Sequence, residues 1–197
     1  MAESMLENIP DGGDIFLIQG PLTDNNVSLI REGIDETLAG SNLNVVYEAN
    51  CPGWIAENAY TYTKEGLKLD RNVKGIICGN DDLASQAFRA LSEERLAGKV
   101  CVTGQDGDLA ACQRIVEETQ EMTAFKSVEQ EASLAAKCAV LLGLGEEIEE
   151  VQDTAYDGTY NVPYLELQPI AVTKENMDEV IIKGGFHAKE DVYLNVN

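Results

Sequence analysis

Asp106 and Asp108 stand one residue apart in the stretch VCVTGQDGDLAAC (100–112), between a short apolar run and the start of an apolar pattern at helical spacing. A helix that begins there needs one carboxylate as its cap, because one side-chain oxygen accepts from the free N–H groups of the first turn. Asp108 suits that role, which leaves Asp106 for chemistry. The same arithmetic applies to GNDD (79–82). Asp81 or Asp82 suits the cap and Asn80 is left over. Two further apolar runs lead into polar turns, GPLTDNN with Asp24, Asn25 and Asn26, and ANCPGW with Trp54. Trp54 follows Pro-Gly, a poor context for buried packing. Lys126, after the run MTAF, reads on its own as a solvated lysine. A carboxylate, several amides, a lysine and an indole make a hydrogen-bonding set. Aspartate accepts from two hydroxyls at once, and asparagine both donates and accepts. Adjacent sugar hydroxyls match that set, and an indole face suits the C–H side of a pyranose. A phosphate ligand calls for a glycine-rich cradle, and neither G-x-x-x-x-G-K-[ST] nor G-x-G-x-x-G occurs. Asp81/Asp82 and Asp106/Asp108 could instead gather magnesium. That keeps a Mg-dependent phosphotransfer enzyme as an alternative.

These residues share one position in the pattern, the point where an apolar run ends. Strands are predicted at Ile15–Ile18, Asn44–Tyr47, Gly75–Cys78, Val100–Thr103 and Met122–Phe125. Helices are predicted at about 25–39, 55–69, 82–95 and 108–118. In LASQAFRALSEERL, Leu83, Ala87, Ala90 and Leu91 fall on one helical face. Strict alternation of strand and helix implies an α/β fold of three layers, a parallel sheet with helices on both faces. In such sheets ligands bind beyond the carboxyl ends of the strands, where the leftover residues lie. After Phe125 the alternation stops. A longer helix is expected at about 128–143, then the irregular stretch YDGTYNVPYLEL. A last strand near Tyr164–Ile170 and a short helix near 174–182 follow.

Composition narrows the function classes. Acids outnumber bases 35 to 14, for a formal charge of -21 in 197 residues. A surface so negative repels phosphate backbones and disfavours nucleic acid as a partner. No segment approaches the ~20 apolar residues that span a bilayer, and the acidic start MAESMLENIPDGGD does not read as a secretory signal. The five cysteines contain no C-x-x-C pair, so neither a zinc site nor a disulfide framework is expected. No metal or other cofactor is expected. The single histidine, His187, has no nucleophile elbow to serve and reads as a surface or capping residue.

The stretches DGGDIFLIQGPLTDNN, GWIAENA, IICGNDDLASQAFRAL, GKVCVTGQDGDLAACQRI, TAFK and IIKGGFH together resemble the xylose-binding proteins of bacterial ABC transporters, which have the type I periplasmic sugar-binding fold. The resemblance runs along nearly the whole chain. It implies a non-enzymatic protein that binds a monosaccharide, D-xylose or a related aldose, outside the cytoplasm and presents it to an ABC transporter permease. A membrane sensor kinase is the alternative reader. It implies sugar contacts at Asp24, Asn26, Trp54, Asn80, Asp106 and Lys126, with Asp108 as the helix cap. The related repressor-type regulators carry an N-terminal helix-turn-helix, which this chain lacks. The resembled proteins have two lobes, so residues 1–127 are expected to form the C-terminal lobe. Residues 128–150 would cross toward the other lobe, which is missing here, and 151–197 would return to complete the first. The 128–143 helix carries two apolar rows, Leu134/Cys138/Leu141 and Ala135/Ala139/Leu142. It is therefore expected either to fold back onto this lobe or to bury itself in another copy of the chain, and homo-oligomer formation is the favoured outcome.

Overall fold

A computed structural model describes residues 1–151 and 153–196. The chain runs α1 (Ala2–Asn8), β1 (Gly13–Gln19), α2 (Asn25–Leu38), β2 (Leu43–Asn50), α3 (Ala56–Leu69), β3 (Gly75–Cys78), α4 (Asp81–Glu93), β4 (Cys101–Gln105), α5 (Leu109–Val116), β5 (Met122–Phe125), α6 (Val128–Leu144), β6 (Asp153–Tyr156), β7 (Asn161–Tyr164), β8 (Ile170–Val172) and α7 (Lys189–Val192). It divides into two compact units. One is Met1–Phe125 with Ala171–Asn197, and the other is Lys126–Ile170.

The first unit is built on a six-stranded sheet of order β2-β1-β3-β4-β5-β8. The pairs β1–β2, β1–β3, β3–β4 and β4–β5 are parallel. The predicted α/β architecture is therefore present. β1 and β3 lie inside the sheet, and their unbroken apolar runs are buried on both faces, as parallel strands between two helical layers require. Phe16 and Ile18 face one core with Leu83, Ala87 and Leu91 of α4. Ile15 and Leu17 face another with Met5 and Ile34. All four residues of the predicted α4 face are fully buried. β2 forms one edge and alternates in burial, because only one of its faces meets the core.

Three local features depart from the expectations. α1 went unforeseen because a seven-residue helix is too short to show a period. Its Met5 is nevertheless fully buried, and a Cβ on Gly75 would lie 2.6 Å from the Met5 sulfur. The strand expected at Tyr164–Ile170 splits into β7 and β8, with irregular chain between them. Pro169 lacks a donor and restricts its predecessor, so the run is interrupted there. The expected 174–182 helix condenses to a five-residue wide turn, Asp178–Ile182.

In the second unit, Ser127 caps α6 by accepting from the Gln130 N–H, and left-handed Gly145 ends it. β6 and β7 pair antiparallel across a turn in which Asp157 accepts from the N–H groups of Thr159 and Tyr160. These elements lie in the Lys126–Ile170 unit, while Ala171–Asn197 belong to the first unit.

Candidate functional site

In the sheet order the chain turns to opposite sides of β1, with β2 on one flank and β3 on the other. The carboxyl ends of β1 and β3 thus border the crevice where open α/β sheets take ligands. Five of the six residues singled out in the sequence stand along this edge within the first unit. Trp54 follows β2, Asp24 and Asn26 follow β1, Asn80 follows β3, and Asp106 follows β4. Lys126 comes directly after β5, is exposed, and begins the second unit.

The indole of Trp54 is half-buried, and its Nε1 donates to Asp24 Oδ2 at 3.1 Å. Its ring lies over the end of β1. A Cβ on Gly20 would fall 2.2 Å from the ring, so only glycine admits it. Trp54 has φ 57°, a left-handed conformation uncommon for an aromatic residue. The buried Cys51 holds the loop, donating its N–H to the Gln19 carbonyl and accepting the Trp54 N–H. Asp24 is the cap of α2. Its Oδ1 accepts from the Asn26 N–H at 2.9 Å, and Asn26 lies exposed in the first turn. One carboxylate therefore starts a helix and orients the indole.

At the end of β3 the sequence reading assigned the cap to the wrong residue, and at the end of β4 it found the cap position but not the bonding. Asn80 is the cap of α4, its Oδ1 accepting from the Leu83 N–H at 2.9 Å. The Nδ2 group is the part of Asn80 suited to meet a ligand. Asp108 occupies the cap position of α5 but makes no side-chain capping bond. Burial, and then the charges of Asp82 and Asp106, push its carboxyl above the usual range.

Asp81, read as a cap, turns inward instead and is fully buried. Its Oδ2 accepts from the N–H groups of Gly107 (2.9 Å) and Asp108 (3.0 Å) and from Thr123 Oγ1 (2.7 Å). Its Oδ1 accepts from Gln120 Nε2 (3.0 Å). Gln120 is in turn held by the buried Arg114, whose Nε donates to Gln120 Oε1 at 2.9 Å. Burial pushes the Asp81 carboxyl up to about 6 against the pull of these donors. No local pattern announces this role, since all four donors come from residues 26 to 42 positions away.

The magnesium alternative required the paired aspartates to converge. Asp81 is committed to four donors, and among the described residues no group of three His, Cys, Asp or Glu could hold a metal ion. His187 was read as a surface or capping residue. Its Nε2 lies 2.8 Å from the Gly107 carbonyl oxygen, on the loop that carries Asp106, and its ring packs against Phe186.

The arrangement is a sheet edge with an indole and hydrogen-bonding side chains, groups whose chemistry suits a polyhydroxylated ring. A family model described as "Periplasmic binding protein domain" matches residues 1–147. A D-xylose-binding periplasmic protein of Haemophilus influenzae is 40% identical over 197 residues, covering 98% of this chain and 59% of the relative. One from Escherichia coli K12 is 36% identical, covering 97% of this chain and again 59% of the relative. The chain thus spans about three-fifths of the length of these relatives. An ABC transporter solute-binding protein from Clostridium phytofermentans with bound β-D-glucose superimposes with a TM-score of 0.83 at 23% identity, over 97% of this chain and 65% of that one. A solute-binding protein from Chloroflexus aurantiacus with D-glucose gives 0.81 at 22% identity, over 96% and 66%.

Proposed function

The chain belongs to the periplasmic binding protein domain family, and from that premise we propose that it is a sugar-binding lobe of a solute-binding protein that serves ABC import outside the cytoplasm. The ligand is a monosaccharide, D-xylose or a close aldose, and no reaction is catalysed. The observation that carries this reading is the row of Trp54, Asp24, Asn80 and Asp106 along the carboxyl edge of one sheet. The roles follow from chemistry. Trp54 offers its ring face, Asp106 accepts from adjacent hydroxyls, and the Asn80 amide donates. Asn26 and Lys126 add polar contacts, and Asp24 holds the indole in place. Residues 1–125 and 171–197 form the binding lobe, and the Lys126–Ile170 unit is the part directed toward a second lobe.

Relatives named for D-xylose at 40% and 36% identity support the sugar class. The experiment is calorimetry of the complete protein with D-xylose, D-glucose and Mg²⁺. Saturable heat with a pentose and none with the metal is the expected result. Heat with Mg²⁺ alone would return the paired aspartates to the centre of the argument.

A further inference from the structure

Asp106 is presented by a backbone that a non-glycine residue does not choose freely. Its φ is 106°, a conformation that persists only where the surroundings over-determine it. Those surroundings are visible. The Asp106 N–H donates to the Ala124 carbonyl at 3.0 Å, which fixes the peptide before it. The two peptides after it are held as well, the first at its N–H and the second at both poles, since Asp81 Oδ2 also accepts from the Asp108 N–H. The Gly107 N–H is held by Asp81 Oδ2 and by Thr123 Oγ1 (3.0 Å), and the Gly107 carbonyl faces His187 Nε2. The Asp81 carboxylate reaches this place because residue 104 is glycine. A Cβ there would sit 2.1 Å from Asp81 Oδ1. Asp81 also directly follows Asn80, the cap of α4.

We propose that Asp81 is a positioning residue of the candidate sugar site, holding the Gly107 peptide so that the Asp106 carboxylate stands at a set distance from the Asn80 amide. It touches no sugar. It ties the start of α4 to the β4–α5 loop and to β5, and so converts two separate strand ends into one rigid pair of ligand groups. A buried carboxylate accepting charge-assisted bonds from two adjacent N–H groups, a hydroxyl and an amide is suited to that task, because each bond is directional and sheltered from water. The proposal rests on the sugar-binding reading above.

The test is a double-mutant cycle in the complete protein, read by D-xylose calorimetry and by the backbone amide resonances of Gly107 and Asp108. Asp81→Asn is expected to weaken xylose binding about tenfold in the unsubstituted background. In an Asp106→Asn background it should cost less than about twofold, since its effect passes through Asp106. The Gly107 and Asp108 amide protons should move upfield together while those in the rest of α4 stay. Thr123→Val, which removes one donor and keeps the shape, serves if Asp81→Asn does not fold; it should show the same dependence on Asp106 at smaller size. Equal losses in both backgrounds, or unmoved Gly107 and Asp108 resonances with affinity reduced, overturn the positioning role while the sugar reading stands. If the unsubstituted protein takes up no monosaccharide, the sugar reading falls and the positioning role with it.

Discussion

The capping task of Asn80 and the ligand task proposed for its amide can be separated. Its Oδ1 caps α4, while its Nδ2 is assigned to the ligand. Asn80→Ala should lower stability by about 1 kcal/mol through the lost cap, measured as a drop in urea midpoint, and should weaken sugar binding as well. Asn80→Asp keeps a good cap and loses only the donor. It should leave the midpoint nearly unchanged and still weaken binding. Equal affinity in Asn80→Asp and the parent would remove Asn80 from the ligand set. Asp81 gives a pH signature. Burial raises its folded-state carboxyl to about 6, above its value in the unfolded chain. The stability linked to its protonation is therefore present below the unfolded value, near 4, and is lost as pH rises through about 6. The span is about 3 kcal/mol. The difference in unfolding free energy between parent and Asp81→Asn should change in that window, moving against the parent as pH rises. A difference that is flat from pH 4 to 7 would contradict the burial argument.

Among the elements, α6 is the one whose sequence and environment disagree. It has no fully buried residue, and Val128, Val140, Leu142 and Leu144 are 62–69% exposed. The Leu134/Cys138/Leu141 row is half-buried, while Ala135, Ala139 and Leu142 lie open. Apolar rows left in water favour association. This chain, studied alone, should therefore sediment as larger species with rising concentration. Leu142→Glu should restore the monomer without lowering the melting temperature, because that side chain supports no core. A monomeric parent across the micromolar range would show that α6 needs no partner. α4 is the opposite case. Its predicted face is the buried face, and its packing on β1 and β3 places Asn80 at the crevice.

Over the whole molecule the dominant quantity is charge. With 35 acidic and 14 basic residues the net charge is -21, and like charges at that density oppose compaction. Screening relieves the repulsion, since the Debye length falls from ~30 Å at 0.01 M to ~8 Å at 0.15 M salt. The melting temperature should rise as NaCl is raised through that range at neutral pH. A fall would mean that attractive pairs such as Arg71–Glu94 and Lys174–Glu118 outweigh the repulsion.

The sequence by itself determined the order and type of the principal elements, because burial on one helical face or on both faces of a strand is written as a local period. β3 and β5 were legible to the residue, and the start of α2 as well. It also put the candidate residues at strand ends, which a parallel sheet brings to one edge whatever the side chains do. Only the tertiary structure decided which of two neighbouring polar residues does what. Asn80 and Asp81 both suit a helix cap locally. Asp81 turns inward because its donors come from the loop after β4 and from β5, far along the chain. Trp54 and Asp106 take positive φ because distant contacts hold their loops. His187 reaches Gly107 from 80 residues away. Periodicity reports which face a residue occupies; the partner that claims a polar atom is set by packing between segments, and no local pattern carries it.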